Sequence, residues 1–167
     1  MHSPFDLTGR VAVVTGASRG LGQYFGRALA RAGADLVITS RTLASLAGFR
    51  KEIEALGRRA VPLELDVRSH DSIERMAEAA GQAYGKIDIL VNNAGCNVRK
   101  PAVEITWDDW NLVLETNLRG TFFVAQAVAK QMIPRGYGRI INIGSVTACS
   151  ATPAWGRIAP AGAASSS

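Results

Sequence analysis

Three glycines, at positions 16, 20 and 22, lie in the stretch TGASRGLG, which begins where the apolar, β-branched run at 10–15 ends. Glycine permits a tight turn and lets backbone N–H groups come close to a ligand. At the start of a helix, such N–H groups and the helix dipole together form a site for phosphate. We therefore interpret the stretch as a pyrophosphate-binding turn. An ordinary strand-to-helix connection is the alternative interpretation.

The elements around this turn favour the first interpretation. Short apolar runs predict strands at 10–15, 35–39, 60–65, 87–91 and 139–143. Segments with helical periodicity separate them. Strands and helices in this alternation predict an α/β fold, with a doubly wound, Rossmann-type parallel sheet between two helical layers, ending after the fifth strand. The glycine turn would then occupy the first βα unit, where a dinucleotide-binding turn is expected.

The same periodicity predicts which helix positions face the core. Thr106 and Asp109 have the spacing of a capping box, which predicts a helix start there. That helix is expected to continue to about Pro134. The positions predicted to face inward are Leu21, Phe25, Leu29 and Ala32 in the first helix, and Trp110, Leu114, Leu118, Phe122 and Ala125 in the last one.

Further motifs follow the GxxxGxG glycines in a fixed order: LDV at 65–67, NNAG at 92–95 and IINIGS at 140–145. With an asparagine at 117, they resemble the short-chain dehydrogenase/reductase family over about residues 5–157. The resemblance implies hydride transfer between a nicotinamide cofactor and a carbonyl or secondary alcohol. It also implies that Ser145 orients the substrate oxygen and that Asn117 holds a water that relays protons.

By the same resemblance, Asp66 and the backbone of Val67 contact the adenine, and NNAG lies beside the cofactor. The residues expected to bind the cofactor are Gly16, Ser18, Arg19, Gly20, Leu21, Gly22, Ser40, Arg41, Asp66, Val67, Asn93, Ala94 and Gly95.

The end of the second predicted strand indicates which nicotinamide cofactor is bound. Ser40 and Arg41 stand where an acidic residue would accept a hydrogen bond from a free ribose 2′-hydroxyl. Arg41, together with Arg19, could instead pair with a 2′-phosphate, and such a charge-assisted contact is worth ~1.5–3 kcal/mol. We therefore expect NADP. NAD stays possible if both arginines are solvated surface charges.

The segment CNVRKP at 96–101 gives a hint of the substrate. Within the family it resembles the sugar-acid and polyol branch, such as gluconate 5-dehydrogenases. Arg99 and Lys100 could attract an acidic sugar, or the segment could be a solvated loop anchored by Pro101. A 3-oxoacyl thioester or a glucose-type substrate is an alternative.

The last ten residues depart from the family pattern. The family has a proton-transferring tyrosine and, four residues later, a lysine, but Ile158 and Gly162 stand at those positions. Neither side chain transfers a proton. We therefore expect a domain over 1–157 and an aberrant low-complexity tail over 158–167. On this view the parent is an enzyme, whereas the chain as written is inactive: a nucleotide-binding module without turnover, or a non-functional fragment. A frameshift near Ile158 is a hypothesis that the nucleotide sequence would test.

Composition indicates which classes of binding partner the chain has. The chain has 167 residues, 47% of them hydrophobic, and a net charge of +5 that is scattered rather than clustered. These features predict one cytoplasmic domain that acts on a small molecule, without nucleic acid, membrane or metal. The resemblance implies a homo-oligomer, dimer or tetramer, for the parent. A sheet that ends at its fifth strand has an unpaired edge, so we expect the isolated chain to be prone to aggregation.

Overall fold

The computed structural model describes residues 5–144 of the chain. Its five strands form one parallel sheet in the order β3-β2-β1-β4-β5. Their bounds are β1 Val11–Val14, β2 Asp35–Ser40, β3 Ala60–Glu64, β4 Ile89–Asn92 and β5 Arg139–Asn142. This confirms the predicted doubly wound α/β fold. The chain steps outward from β1 to β3 and then returns to the other side of β1, so the strand order reverses between β1 and β4.

Helices cover both faces of the sheet. Their bounds are α1 Leu21–Arg31, α2 Ala47–Ala55, α3 His70–Tyr84, α4 Trp107–Leu114 and α5 Thr121–Met132. Because successive strand residues point to opposite faces, Val13 and Val37 pack with α3 and α5, whereas Val14 and Ile38 pack towards α1 and α2. Both faces of the central strands are therefore buried in apolar side chains.

Local signals in the sequence set several helix ends. Ser69 caps α3, because its hydroxyl accepts a hydrogen bond from the backbone N–H of Ser72 at 3.3 Å. Gly85 ends the same helix with a φ of 70°. At the start of α4, Thr106 and Asp109 form the predicted capping box.

No helix in the described residues is long and apolar enough to span a lipid bilayer.

The prediction for the buried face of α1 is wrong at Leu21, which is 59% exposed. The helix instead buries Gly22, Gly26 and Ala30. A β-carbon at Gly26 would lie 2.6 Å from the ring of Phe49 on α2. The small residues thus allow close packing that larger side chains would prevent.

The prediction for the last helix is also wrong, both in continuity and in its buried face. A turn of π-helix at Glu115–Gly120 separates α4 from α5. The side chains of α5 that face the core are those of Val124, Ala127, Val128 and Met132. The four large side chains predicted to face inward form an exposed apolar stripe: Trp110 (56% exposed), Leu114 (39%), Leu118 (65%) and Phe122 (60%).

Candidate functional site

An open cleft of about 1010 Å³ runs along the carboxyl-terminal ends of the strands. The loops that follow β1, β2, β3 and β4 line it, and it spans the point where the strand order reverses. In open α/β sheets this is where ligands bind. The predicted cofactor residues that line the cleft are Gly16, Ser18, Arg19, Gly20, Leu21, Ser40, Arg41, Asp66, Val67, Asn93, Ala94 and Gly95.

The glycine turn between β1 and α1 depends on the absence of side chains. Gly16 has a φ of 66°, and a β-carbon there would lie 2.9 Å from the Cα of Ala94. Gly20 has a φ of 59° at the start of α1. Gly22 is buried beneath the turn, where a β-carbon would collide with the carbonyl oxygen of Gly16. Gly22 therefore shapes the turn from below.

Threonine and asparagine side chains hold the turn against the loop after β4. The hydroxyl oxygen of Thr15 accepts hydrogen bonds from the backbone N–H groups of Asn93 and Ala94, both at 2.9 Å. In return, Nδ2 of Asn93 donates to the carbonyl oxygens of Thr15 at 3.0 Å and Gly16 at 3.2 Å. These reciprocal bonds fix the two loops as one unit. Asn93 therefore braces the site through its side chain.

The loop after β2 presents Arg41 on a turn closed by hydroxyl groups. The Ser40 hydroxyl accepts from the backbone N–H of Thr42 at 3.1 Å and lies 2.7 Å from the Ser45 hydroxyl. The Ser45 hydroxyl also donates to the carbonyl of Thr42 at 2.6 Å. The Ser40 side chain is thus occupied in shaping the turn. Within residues 5–144, no hydrogen bond or ion pair engages the side chain of Arg41 or of Arg19.

The loop after β3 contains an arginine–aspartate pair. Nη2 of Arg68 lies 3.1 Å from Oδ2 of Asp66, and Nε of Arg68 donates to Oδ1 of Asp66 at 3.3 Å. The backbone N–H of Arg68 donates to the same Oδ1 at 3.0 Å. These bonds to Arg68 outweigh partial burial and lower the pKa of Asp66, so its carboxylate is ionised at neutral pH.

Asn117 lies on the π-helical turn, and its side chain is engaged with the loop after β4. Its Oδ1 accepts from the backbone N–H of Cys96 at 2.9 Å, and its Nδ2 donates to the carbonyl of Cys96 at 2.8 Å. A β-carbon at Gly95 would lie 3.3 Å from that Oδ1. The amide group therefore fixes the backbone beside NNAG. The proton-relay role of Asn117 stays a prediction.

Lys100 has an ion-pair partner. Its Nζ lies 2.6 Å from Oδ2 of Asp109, the acidic member of the α4 capping box. Lys100, together with hydrogen bonds from Thr106, lowers the pKa of Asp109 to about 2. Lys100 thereby ties the loop after β4 to the start of α4.

Three predicted positions, Ser145, Ile158 and Gly162, lie outside the described residues. Sequence reasoning in turn missed Thr15, Ser45 and Arg68. Arg68 could have been found from its position directly after the LDV motif. The role of Thr15 depends on contacts with the distant residues Asn93 and Ala94, which no local pattern predicts. Ser45 bonds within its own turn, to Ser40 and Thr42.

The chemistry of the cleft fits a dinucleotide cofactor. The glycine turn leaves backbone exposed at the start of α1, where phosphate binds. Arg19 and Arg41 supply positive charge beside it. The hydroxyl of Thr39, which also lines the cleft, is a buried polar group with no hydrogen-bond partner within residues 5–144. Among the described residues, no cluster of side chains suited to a metal ion occurs.

Comparison with known proteins agrees with this description. A family model described as short chain dehydrogenase matches residues 10–159. Gluconate 5-dehydrogenase from Gluconobacter oxydans (strain 621H) is 44% identical over 149 residues, which cover 89% of this chain and 58% of that protein. A 2-dehydro-3-deoxy-D-gluconate 5-dehydrogenase from Escherichia coli (strain K12) is 43% identical over 145 residues, which cover 86% of this chain and 56% of that protein.

A solved structure shows the same fold. The crystal structure of a short-chain type dehydrogenase/reductase from Mycobacterium marinum superposes with a TM-score of 0.87 at 33% identity. The match covers 89% of this chain and 61% of that one. The chain thus spans somewhat under two thirds of the length of the proteins that it matches.

Proposed function

The chain belongs to the short-chain dehydrogenase family, and on that premise we propose that residues 5–144 bind NADP(H) for hydride transfer to or from a carbonyl or secondary alcohol. The observation that carries the proposal is the cleft at the switch point of the sheet, with a glycine turn at one end and two arginines, Arg19 and Arg41, whose side chains make no hydrogen bond or ion pair within residues 5–144. Bound there, the cofactor supplies or accepts the hydride. The protein residues hold, orient and shield it.

The preference for NADP rests on charge at the end of β2. No acidic side chain is present in the turn at 39–42 to accept a hydrogen bond from a ribose hydroxyl. Arg41 is presented on a turn that Ser40 and Ser45 hold closed, so little backbone freedom is lost on binding. Arg19 lines the same cleft. Two guanidinium groups that have no ion pair in the described part of the chain favour a ligand with an additional phosphate.

On the opposite side of the cleft, the chain positions the loop that follows β4. The bonds of Asn117 to Cys96 and of Lys100 to Asp109 hold this loop at two points. A fixed backbone beside the reacting ring matters because small misplacements reduce rates strongly. We propose this positioning as the main role of the Asn117 side chain, with Ser145 orienting the substrate oxygen.

For the substrate we propose a sugar acid with an oxidisable secondary alcohol, or the corresponding keto acid. Support comes from the two relatives described above, whose names refer to gluconate and to a dehydro-deoxygluconate. Lys100 is paired with Asp109, so we propose that its main role is to hold this loop rather than to attract the substrate carboxylate. A 3-oxoacyl thioester is the competing substrate, and a side-by-side assay distinguishes the two.

A second candidate function is nucleotide binding without turnover. It is favoured by Ile158 and Gly162 at the positions of the family's tyrosine and lysine. Losing a positioned general acid–base costs about 10²–10⁴ in rate. In this case the chain would bind NADP but neither oxidise sugar acids nor reduce keto acids above background. Turnover that Ser145→Ala abolishes would instead support the enzymatic proposal.

We also propose that the exposed apolar stripe is a contact between subunits. Three of its members, Trp110, Leu118 and Phe122, are each more than half exposed. Contiguous exposed apolar surface marks sites of association. Leu118→Glu should shift the chain towards monomer in sedimentation, and a monodisperse wild-type monomer would contradict this part of the proposal.

The test of cofactor binding is a calorimetric titration with NADP. Gly16→Val should abolish binding, because its side chain meets the Ala94 backbone and distorts the turn. Gly9→Val is the matched control: Gly9 has a similar φ of 75°, but no atom lies within 4 Å of its β-carbon position, and it is not part of the cleft. Equal NADP affinities in the two variants would contradict the proposal, as would wild-type protein that binds no NADP.

A further inference from the structure

Of the three arginines that line the cleft, only Arg68 is committed to a partner within the described residues. Its guanidinium contacts both oxygens of Asp66, and its backbone N–H adds a third donor. Both side chains are about one third exposed (38% for Arg68 and 36% for Asp66), so the pair lies at the rim of the cleft. An arginine held this way serves its partner rather than an incoming phosphate.

The segment around this pair has a fixed backbone. The backbone N–H of Asp66 donates to the Ser72 hydroxyl at 3.0 Å. Ser69 caps the following helix. On the next residue along, the Val67 carbonyl packs so closely on Gly120 that a β-carbon there would lie 2.7 Å away. With the backbone held, the rotamer of Asp66 is the remaining freedom, and Arg68 removes it.

The three N–H donors of Arg68 also leave one acceptor position open on the carboxylate of Asp66. An ionised carboxylate offers about four lone-pair sites. Oδ1 of Asp66 accepts two N–H groups from Arg68, and Oδ2 accepts one. One site therefore remains, on Oδ2. An acceptor limited in this way is suited to a ligand N–H and disfavours a ligand oxygen.

We propose that Arg68 is a positioning residue for the adenine end of the cofactor, because it presents the Asp66 carboxylate as a single oriented acceptor for the exocyclic amino group. The inference rests on the proposed cofactor binding and adds a residue to which none of the recognition motifs assigns a role. The lowered pKa of Asp66 agrees with it, since an ionised carboxylate has no proton of its own to donate.

The experiment compares NADP with its hypoxanthine analogue, which has a carbonyl oxygen in place of the amino group. Affinities are measured by calorimetry on wild type, Arg68→Gln and a control. Wild type should prefer the adenine form by about tenfold, the scale of one hydrogen bond to a charged group. In Arg68→Gln the preference should fall towards one, while the ratio of NADP to NAD affinity stays unchanged.

Arg58→Gln is the matched control. Arg58 donates twice to Oδ1 of Asp35, at 3.1 and 2.9 Å, and the backbone N–H of Arg59 donates to the same oxygen at 2.9 Å. This is the same kind of arginine–aspartate pair, but it lies at the amino-terminal ends of the strands, away from the cleft. Its loss should leave the adenine preference intact.

Each other outcome has a definite meaning. An adenine preference that survives in Arg68→Gln overturns the inference and leaves the proposed function standing. A loss of NADP affinity much greater than that of NAD would make Arg68 a phosphate ligand and also overturn it. Wild type that binds neither cofactor overturns the proposed function as well. If Arg68→Gln does not fold by thermal melting, the same ratio is read on Arg68→Lys, which keeps the charge but lacks the planar fork and should lose the preference as well.

Discussion

Charged groups are arranged differently at the amino-terminal and the carboxyl-terminal ends of the strands. At the edge where the strands begin, Asp88 is fully buried, accepts from the Val11 backbone at 2.9 Å and lies within ion-pair distance of Arg10, Lys86 and Arg135. At the edge where the strands end, Arg41 makes no hydrogen bond or ion pair within residues 5–144. At the amino-terminal ends the carboxylate is balanced by cations of the protein itself. At the carboxyl-terminal ends the positive charge of Arg41 is available to a ligand.

This difference separates groups that stabilise the fold from groups that bind. A buried carboxylate with several donors is costly to disturb, because removing it leaves the facing cations uncompensated. An exposed, unpaired guanidinium contributes little to stability and can be changed without unfolding the chain. The predictions that follow test this division, from the larger expected effects to the smaller ones.

Asp88→Asn should cause the largest loss of stability. The amide cannot balance the three cations around it, and breaking a buried ion pair in this way costs about 3–5 kcal/mol. Urea unfolding at neutral pH measures the change, and Glu54→Gln, in the exposed pair with Arg50, is the control with a much smaller expected effect. A loss for Asp88→Asn no greater than that of the control would remove the stabilising role of this edge.

The same carboxylate gives the wild type a dependence on acid. Burial by itself raises the pKa of Asp88, but the hydrogen bond from Val11 and the cations Arg135 and Lys86 outweigh it, so the pKa is lowered. Its contribution is therefore present above the ordinary aspartate pKa of about 3.9 and is lost as the pH falls through the lower folded-state value. Asp88→Asn should flatten this part of the stability profile.

Arg41→Asp should change cofactor choice without changing stability. The loss of one charge-assisted contact, together with repulsion between the introduced carboxylate and the 2′-phosphate, should weaken NADP binding by roughly tenfold to a hundredfold. NAD binding should stay equal or become tighter. Calorimetric titration of both cofactors measures this, with Arg50→Asp on α2 as the control. Equal NADP and NAD affinities in the wild type would count against the 2′-phosphate assignment.

Gly22→Ala and Gly48→Ala compare the same substitution in two helices. At Gly22 the new methyl group collides with the Gly16 carbonyl, and overpacking of this kind costs about 1–3 kcal/mol. At Gly48 on α2, no atom lies within 4 Å of the new carbon, so alanine should stabilise by about 0.5–1 kcal/mol. Thermal melting measures the change in stability for each variant, and NADP affinity should fall only for Gly22→Ala. The same sign of change at both positions would show that the turn tolerates a side chain.

Tyr84→Phe should have a small effect that is confined to stability. The Tyr84 hydroxyl donates to the carbonyls of Leu36 at 3.0 Å and Arg59 at 3.1 Å, at the edge where the strands begin. Removing it should cost about 0.5–1.5 kcal/mol and leave NADP affinity unchanged. Burial, the largest cause, raises the pKa of Tyr84 to about 12. The hydroxyl's contribution is therefore complete below pH ~10 and is lost as the pH rises through about 12, a dependence that Tyr84→Phe should abolish in alkaline unfolding experiments.

Local patterns in the sequence were sufficient for the order of strands and helices and for the position of the glycine turn. Residues 10–15 are apolar and β-branched, and the glycines follow them directly. Strand burial and backbone conformation are decided by such nearby residues, so these predictions were confirmed. The capping box at Thr106 and Asp109 was confirmed for the same reason, because both of its hydrogen bonds lie within four residues.

Only the tertiary structure decided which helix faces are buried and which polar side chains are committed. The burial of Gly22 and Gly26 in place of Leu21 depends on how closely α1 approaches its neighbours. Likewise, the hydroxyl of Thr15 is committed to the backbone N–H groups of Asn93 and Ala94, which lie 78 and 79 residues further along the chain. Such choices depend on distances between segments far apart in the chain, whereas a local pattern reports only the preferences of neighbouring residues.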